Sequence, residues 1–355
     1  MSKATDSASI STTLLQEVAL FDTDDSVLVF SAESVPLLRS LARTVAQVDV
    51  YELQHSYIDK LPNMQKVTVH TEVFPPVEDK FDKIIIFVPK GRDFARALLW
   101  QASQVLAPGG TVYIAGPTNG GAKTVLKDAA DLFKDVTTLV FKKRHRVGSA
   151  RHASASVYPA EWGEEPTQIQ FRTLETPIKP LVVATIPGIF SWEHLDEGTR
   201  FLLETIDMET LLADKTVLDV GCGTGVIGAL AAGYAQHVTL VDDNLLAVRC
   251  TQATLAHHHI TNAAVLASDV YSALSDERFD IILSNPPFHE KFDINANVAH
   301  RILKEAKAHL TKRGSVIWVA NSFLRYEDVA AEHFRSVEVL AQNGKFTVVQ
   351  ATQPL

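Results

Sequence analysis

Three segments from the first half of this chain recur in the same order in its second half. Ser26-Val-Leu-Val-Phe-Ser-Ala-Glu-Ser34 lies opposite Thr216-Val-Leu-Asp-Val-Gly-Cys-Gly-Thr224, an offset of 190 residues. Phe81-Asp-Lys-Ile-Ile-Ile-Phe-Val-Pro89 lies opposite Phe279-Asp-Ile-Ile-Leu-Ser-Asn-Pro-Pro287, and Leu106-Ala-Pro-Gly-Gly-Thr-Val-Tyr-Ile114 opposite Leu310-Thr-Lys-Arg-Gly-Ser-Val-Ile-Trp318, at offsets of 198 and 204. A common order with slowly growing offsets marks an internal duplication. Each copy alternates short apolar strands with helical stretches, the pattern of βαβ units around a mostly parallel sheet.

The spacing predicts strands in the second copy at 216–220, 237–242, 263–268, 279–284 and 314–320, with helices between them such as Ala247–His258 and Asn297–His309. The stretch Ser336 to Gln350 reads as an antiparallel hairpin closed by a two-residue Asn343-Gly344 turn. Residues 160–180 are rich in Pro and charge and read as a connector between a first domain at 1–159 and a second at 181–355.

With 355 residues, 46% hydrophobic and 21% charged, the chain has the make-up of a soluble protein with two ordinary cores. It contains no run of eighteen apolar residues, and its N-terminus is polar. Cys222 and Cys250 are too few for a disulfide framework, and no Cys/His spacing fits a zinc site. These features imply a reduced, cytoplasmic, metal-free protein. The triplet His257-His-His259 reads as a solvated helix end, because adjacent helical residues point in different directions.

The net charge of −9 argues against indiscriminate nucleic-acid binding. Residues 1–150 carry 17 Lys+Arg against 17 Asp+Glu, so the whole deficit lies in residues 151–355, with 16 against 25. The one basic concentration is Lys142, Lys143, Arg144 and Arg146, with Arg151 nearby. If the chain touches RNA, this is the stripe to attract phosphates; on charge alone a solvated strand end fits as well.

The strand Val217–Val220 runs into Gly221-Cys222-Gly223-Thr-Gly225. Gly223, Gly225 and Gly228 satisfy G-x-G-x-x-G, so a nicotinamide-dependent oxidoreductase is a rival reading. Asp219, still on the strand, tips the balance. A carboxylate there suits the sulfonium and ammonium of S-adenosylmethionine and sits badly beside a pyrophosphate. Asp242 ends the next strand, 21 residues after Gly221, where ribose hydroxyls are held; Asp243 follows it directly. Asp269 is a candidate for the adenine amino group, against a turn or cap role. Cys222 reads as a small loop filler. An antiparallel hairpin on such a sheet is a feature of class I methyltransferases.

Asn285-Pro286-Pro287-Phe288 directly follows the strand Phe279–Ser284. The lone pair of a planar amine is delocalised into its ring. An Asn side-chain carbonyl and the Pro286 backbone carbonyl can each accept one N–H, which favours pyramidalisation and aims the lone pair at a methyl group. The two prolines stiffen the elbow, and Phe288 offers a face for base stacking.

With Gly188-Ile-Phe-Ser191, Leu195-Asp-Glu-Gly198, the glycine loop and Ser284–His289, the chain resembles the tandem-domain ribosomal RNA guanine-N2 methyltransferases. It is most similar to the RsmC-like enzymes of 16S rRNA; the RlmG-like enzymes of the large subunit share the Asn-Pro-Pro-Phe-His element. The resemblance extends from about 180 to the C-terminus, including Val319-Ala-Asn321 and Gly344-Lys-Phe346, and is weaker but collinear over 1–155, best at Val147-Gly-Ser-Ala-Arg151. It implies two tandem class I, Rossmann-like domains and transfer of one methyl from S-adenosylmethionine to N2 of a guanosine. It further implies an N-terminal copy that has lost the cofactor and serves stability and RNA recognition. The residues agree: Val29 stands in place of Asp219, Glu33 in place of Gly223, and Phe87-Val88-Pro89 in place of Asn285-Pro-Pro287.

The expected partner is ribosomal RNA or an assembling 30S subunit, and the expected state a monomer. Alternatives are the same chemistry on 23S rRNA, methylation of a protein glutamine or adenine N6, the oxidoreductase, and a non-catalytic RNA-binding scaffold.

Overall fold

A computed structural model describes residues 9–31, 34–153, 157–286 and 294–355. The chain divides into two units, residues 1–168 and 169–355.

The first unit is built on strands β1 (Ser26–Phe30), β2 (Gln47–Tyr51), β3 (Val67–His70), β4 (Phe81–Phe87), β5 (Leu106–Pro117), β6 (Lys134–Lys142) and β7 (His145–Arg151). They form one sheet in the order β3-β2-β1-β4-β5-β7-β6. Strands β1 to β5 run parallel, and β7 is antiparallel to both neighbours.

The second unit opens with an antiparallel pair, β8 (Gln170–Leu174) and β9 (Leu181–Thr185). Its main sheet comprises β10 (Thr216–Val220), β11 (His237–Asp242), β12 (Ala263–Ala267), β13 (Phe279–Ser284), β14 (Leu310–Asn321), β15 (Phe334–Gln342) and β16 (Phe346–Pro354). Their order, β12-β11-β10-β13-β14-β16-β15, repeats that of the first sheet. The duplication is therefore a duplication of topology, and both sheets end in an antiparallel hairpin, as expected for the second copy.

Alternation along β10 sorts its side chains to opposite faces. Val217 packs with Val226, Ile227 and Leu230 of the helix Val226–Ala231, whereas Leu218 and Val220 pack with Ile302, Leu303 and Trp318. By the same period of two, Asp219 shares the face of Val217 and looks toward the helix. Gly228 brings that helix close: a Cβ there would lie 2.1 Å from Leu240 Cδ2. Strand order reverses between β10 and β13, and the crevice beyond the carboxyl ends of such strands is where α/β sheets bind ligands.

Three expectations need correction. The last turn is not the two-residue Asn343-Gly344 turn, since three residues separate β15 from β16 and neither Asn343 nor Gly344 has the positive φ that such a turn takes. Asn343 instead accepts the Lys345 and Phe346 amides at 2.8 and 2.7 Å on its side-chain oxygen, and donates its own amide to the Phe346 carbonyl at 2.9 Å. Residues 160–180 are not a plain connector. Trp162 donates to Asp131 at 3.3 Å, Arg96 lies over the Trp162 ring at 4.8 Å, and Trp100 donates to Glu165 at 3.0 Å, so aromatic anchors draw residues 160–168 into the first unit. The remainder of the stretch, with β8, belongs to the second unit. Nor is the histidine triplet wholly solvated, because His258 Nε2 meets the Val182 carbonyl at 2.7 Å.

Candidate active site

The glycine loop takes a path that L-residues avoid. Gly221, Gly223 and Gly225 have φ of 77°, 57° and 81°. The amides of Gly221 and Cys222 both donate to the Val241 carbonyl, at 2.9 and 3.1 Å, which ties the loop to the end of β11. A Cβ at Gly221 or Gly223 would meet nothing within 4 Å, so at both positions the loop borders open space. At Gly225 it would lie 2.9 Å from Thr251. Cys222 is buried beside the Thr251 hydroxyl, and burial pushes its thiol well above the ordinary value, which makes it a packing residue and a poor nucleophile.

Asp219 is fully buried. Its Oδ2 accepts the Gly228 amide at 2.9 Å, while Oδ1 has no hydrogen-bond partner among the described residues. Burial, and secondarily the charge of Asp242, pushes its carboxyl up to about 7. Asp242 is half-buried; its Oδ2 accepts from the Gly223 amide at 2.9 Å and Oδ1 from the Asn244 amide at 2.8 Å. Burial raises it to about 6. Asp243 follows, half-buried, on the same loop. Asn244 caps the helix Leu245–His257 and donates to the Gly188 carbonyl at 2.8 Å, which brings the Gly188–Ser191 segment to this loop. An orphaned buried acceptor on Asp219, a second carboxylate on Asp242 and open space beside the glycines together fit a nucleoside that carries positive charge.

Asp269 lies at the end of β12, but its carboxylate has a partner the spacing did not reveal. Arg301 Nη1 donates to its Oδ1 at 2.8 Å. Among the described residues, no group of three or more His, Cys, Asp or Glu could hold a metal, and no helix is long and apolar enough to cross a membrane.

Asn285 and Pro286 stand at the carboxyl end of β13, next to β10. Ser284 Oγ donates to the Val220 carbonyl at 2.8 Å and locks the two strand ends together. The Asn285 amide nitrogen donates to Asp196 Oδ2 at 2.8 Å and Thr199 Oγ1 at 2.9 Å. Asp196 also caps the helix Glu197–Thr205 by accepting the Thr199 amide. Pro287 and Phe288 lie outside the described residues.

The molecule matches two family models: that of the methyltransferase small domain over residues 180–350, and that of its N-terminal partner domain over residues 11–175. It is 33% identical over 335 residues to the ribosomal RNA small subunit methyltransferase C of Shewanella pealeana, spanning 92% of this chain and 94% of that one. To the protein of the same name from Erwinia tasmaniensis it is 35% identical over 276 residues, 77% of this chain and 76% of that one. The chain belongs to the ribosomal RNA small subunit methyltransferase C family. Its fold superposes on a T. Thermophilus 16S rRNA N2 G1207 methyltransferase (RsmC), solved in complex with AdoMet and guanosine, with a TM-score of 0.83 at 25% identity over 96% of this chain and 91% of that one.

Membership in the methyltransferase C family sets aside the oxidoreductase reading of the glycine loop. It also directs attention to the basic stretch of the first unit, which the structure resolves as the β6–β7 hairpin tip. Lys142 pairs with His145 across a two-residue turn whose residues, Lys143 and Arg144, both have positive φ, 51° and 61°. Lys142, Lys143 and Arg144 are exposed, whereas Arg146 is half-buried with its guanidinium 4.2 Å over the Phe141 ring. Arg151 is exposed at the far end of β7, away from the tip.

Proposed function

We propose that this chain methylates the exocyclic N2 of a guanosine in 16S rRNA, with S-adenosylmethionine as donor. The observation that carries the reading is the Asn285 amide, whose nitrogen is engaged by Asp196 and Thr199 beside the glycine loop, in a chain of the methyltransferase C family. When bound, S-adenosylmethionine supplies an electrophilic methyl on a sulfonium. Asp219 and Asp242 hold its nucleoside and offset its positive charge, and the glycines let the backbone approach it. Asp243 and Cys222 complete the wall of the loop, and Asp269, braced by Arg301, borders the adenine end.

The Asn285 Oδ1 accepts one N–H of the guanine amine and the Pro286 backbone carbonyl the other. Both bonds strengthen as the nitrogen pyramidalises, so they act mainly on the transition state. Pro287 and Phe288 complete the elbow, the first by rigidity and the second by stacking.

The second unit is acidic, so a polyanion needs attraction from elsewhere. We assign that role to the first unit and its hairpin tip, with Lys142, Lys143, Arg144 and Arg146 as phosphate contacts and Arg151 as a flanking charge. The substrate is ribosomal RNA, free or in an assembling 30S subunit, met in the cytoplasm by a single chain. Mass-spectrometric mapping of methylated guanosines in rRNA, from cells with and without this gene, tests the reading. An unchanged 16S profile beside a lost 23S guanosine moves the substrate to the large subunit.

A further inference from the structure

We infer that Asp196 and Thr199 are positioning residues for methyl transfer: they fix the rotamer of the Asn285 amide so that its carbonyl, and never its nitrogen, meets the guanine amine. This rests on the function proposed above and assigns a task to residues outside the glycine loop and the elbow.

The two ends of an asparagine amide are nearly equal in size, and a half-turn of the terminal torsion exchanges donor for acceptor. In the wrong orientation the NH2 group would face another NH2 group and could accept nothing from it. The orientation in this chain is dictated by its neighbours. A carboxylate oxygen has only lone pairs to offer, so the atom of Asn285 that lies 2.8 Å from Asp196 Oδ2 must be nitrogen. The second N–H points to the Thr199 hydroxyl at 2.9 Å. With both hydrogens engaged inside the protein, the carbonyl is the only polar group of the side chain left to present.

Gly198 supports this assignment from an independent direction. A Cβ at that position would lie 3.4 Å from Asn285 Oδ1, 3.0 Å from Asp196 Oδ2 and 3.4 Å from Phe346 Cε1. The absence of a side chain at residue 198 keeps the carbonyl side of Asn285 uncrowded. Its φ is not in the left-handed region, so the reason for glycine here is space. Asp196, Gly198 and Thr199 thus form one turn of helix start that serves Asn285, 86 to 89 residues further along the chain.

Asp196 has two tasks on one oxygen, since Oδ2 also accepts the Thr199 amide at 2.9 Å as the helix cap. The test must separate them. Serine caps helices as well as aspartate does, but its shorter side chain does not extend to Asn285. Asp196→Ser, assayed as full-length protein with 30S subunits or 16S rRNA lacking the modification and tritiated S-adenosylmethionine, is expected to lower kcat roughly ten- to a hundred-fold. The KM for RNA, the affinity for the cofactor and the thermal midpoint stay near wild type. Thr199→Val, which deletes one acceptor and keeps the backbone amide, lowers kcat several-fold, and Thr199→Ser recovers it.

In an Asn285→Ala background, Asp196→Ser has nothing left to orient and causes no further loss. A wild-type kcat for both Asp196→Ser and Thr199→Val would overturn the inference. So would a further loss in the double variant as large as that in the single one, which would mark a merely structural role. A wild-type chain that fails to methylate guanine N2 overturns the functional reading and this inference together. A methylating wild type with fully active variants overturns this inference alone.

Discussion

Val29 and Asp219 occupy the same register position in two sheets of identical strand order. Val29 lies between Val50 and Ile85, Asp219 between Leu240 and Leu283, and both are completely buried. At one position the duplicated fold seals its crevice floor with a methyl pair; at the other it places an acceptor there. The first copy still carries the loop's opening bend, since Ser31 has φ 61° and donates to the Tyr51 carbonyl at 3.0 Å, as Gly221 does to Val241 at 2.9 Å. Calorimetry with S-adenosylhomocysteine is therefore expected to give one site per chain, lost in Asp219→Ala. A stoichiometry of two would refute the reading of the first copy as decayed.

Protonation offers a second check on Asp219. Burial raises it to about 7 and Asp242 to about 6, so both bind protons more tightly folded than unfolded. Their contribution to the stability of the ligand-free protein is complete below the ordinary value of 3.8. It is lost as pH rises through about 6 for Asp242 and about 7 for Asp219. A cationic ligand prefers the ionised carboxylates. Affinity for S-adenosylmethionine should thus weaken as pH falls below about 7, and binding near pH 6.5 should release a proton. Calorimetry in two buffers of different ionisation enthalpy measures this, and heats independent of the buffer would remove Asp219 from the ligand site.

Loss of the Asn285 carbonyl should affect turnover far more than binding. Asn285→Ala is expected to lower kcat by roughly two to three orders of magnitude, the usual consequence of deleting one preorganised electrostatic partner. Cofactor affinity should change little, because the site proposed for that ligand lies at the ends of β10 and β11. Near-full turnover would reduce the elbow to a turn.

The basic hairpin trades stability for charge. A two-residue turn with both φ positive is the natural place for Asn-Gly, yet Lys143 and Arg144 occupy it. Left-handed backbone costs an ordinary residue about 1 kcal/mol. Lys143→Asn with Arg144→Gly should raise the thermal midpoint while raising the KM for RNA and flattening its dependence on salt. Reversal of the charges at Lys142, Lys143, Arg144 and Arg146 should do the same to RNA with no gain in stability. A salt slope that stays unchanged would leave the hairpin as solvated surface.

What the sequence made legible was local. Apolar runs that end in glycines or prolines placed β10, β11 and β13 to the residue, because backbone freedom and strand burial act over a few neighbours. Asp219, Asp242 and Asn285 could be picked out because each sits at the end of such a run. Their partners could not. Asp196 reaches Asn285 and Arg301 reaches Asp269 across long stretches of chain, and no spacing rule connects a helix cap to a distant strand end. The Asn343 turn failed for a related reason, since the dipeptide is compatible with two turns and the side chain's own hydrogen bonds chose between them.

Strand β16 sits between β14 and β15, although it is made after both. During synthesis β15 emerges with no neighbour to pair with, and Val348, Val349 and Ala351, which fill the core on the two faces of that gap, come later still. The sheet of the second unit therefore cannot be completed strand by strand in the order of synthesis. It stays open, with two unfilled edges, until its last strand is out, and the first sheet, in which β7 enters between β5 and β6, closes by the same route once residue 151 has emerged.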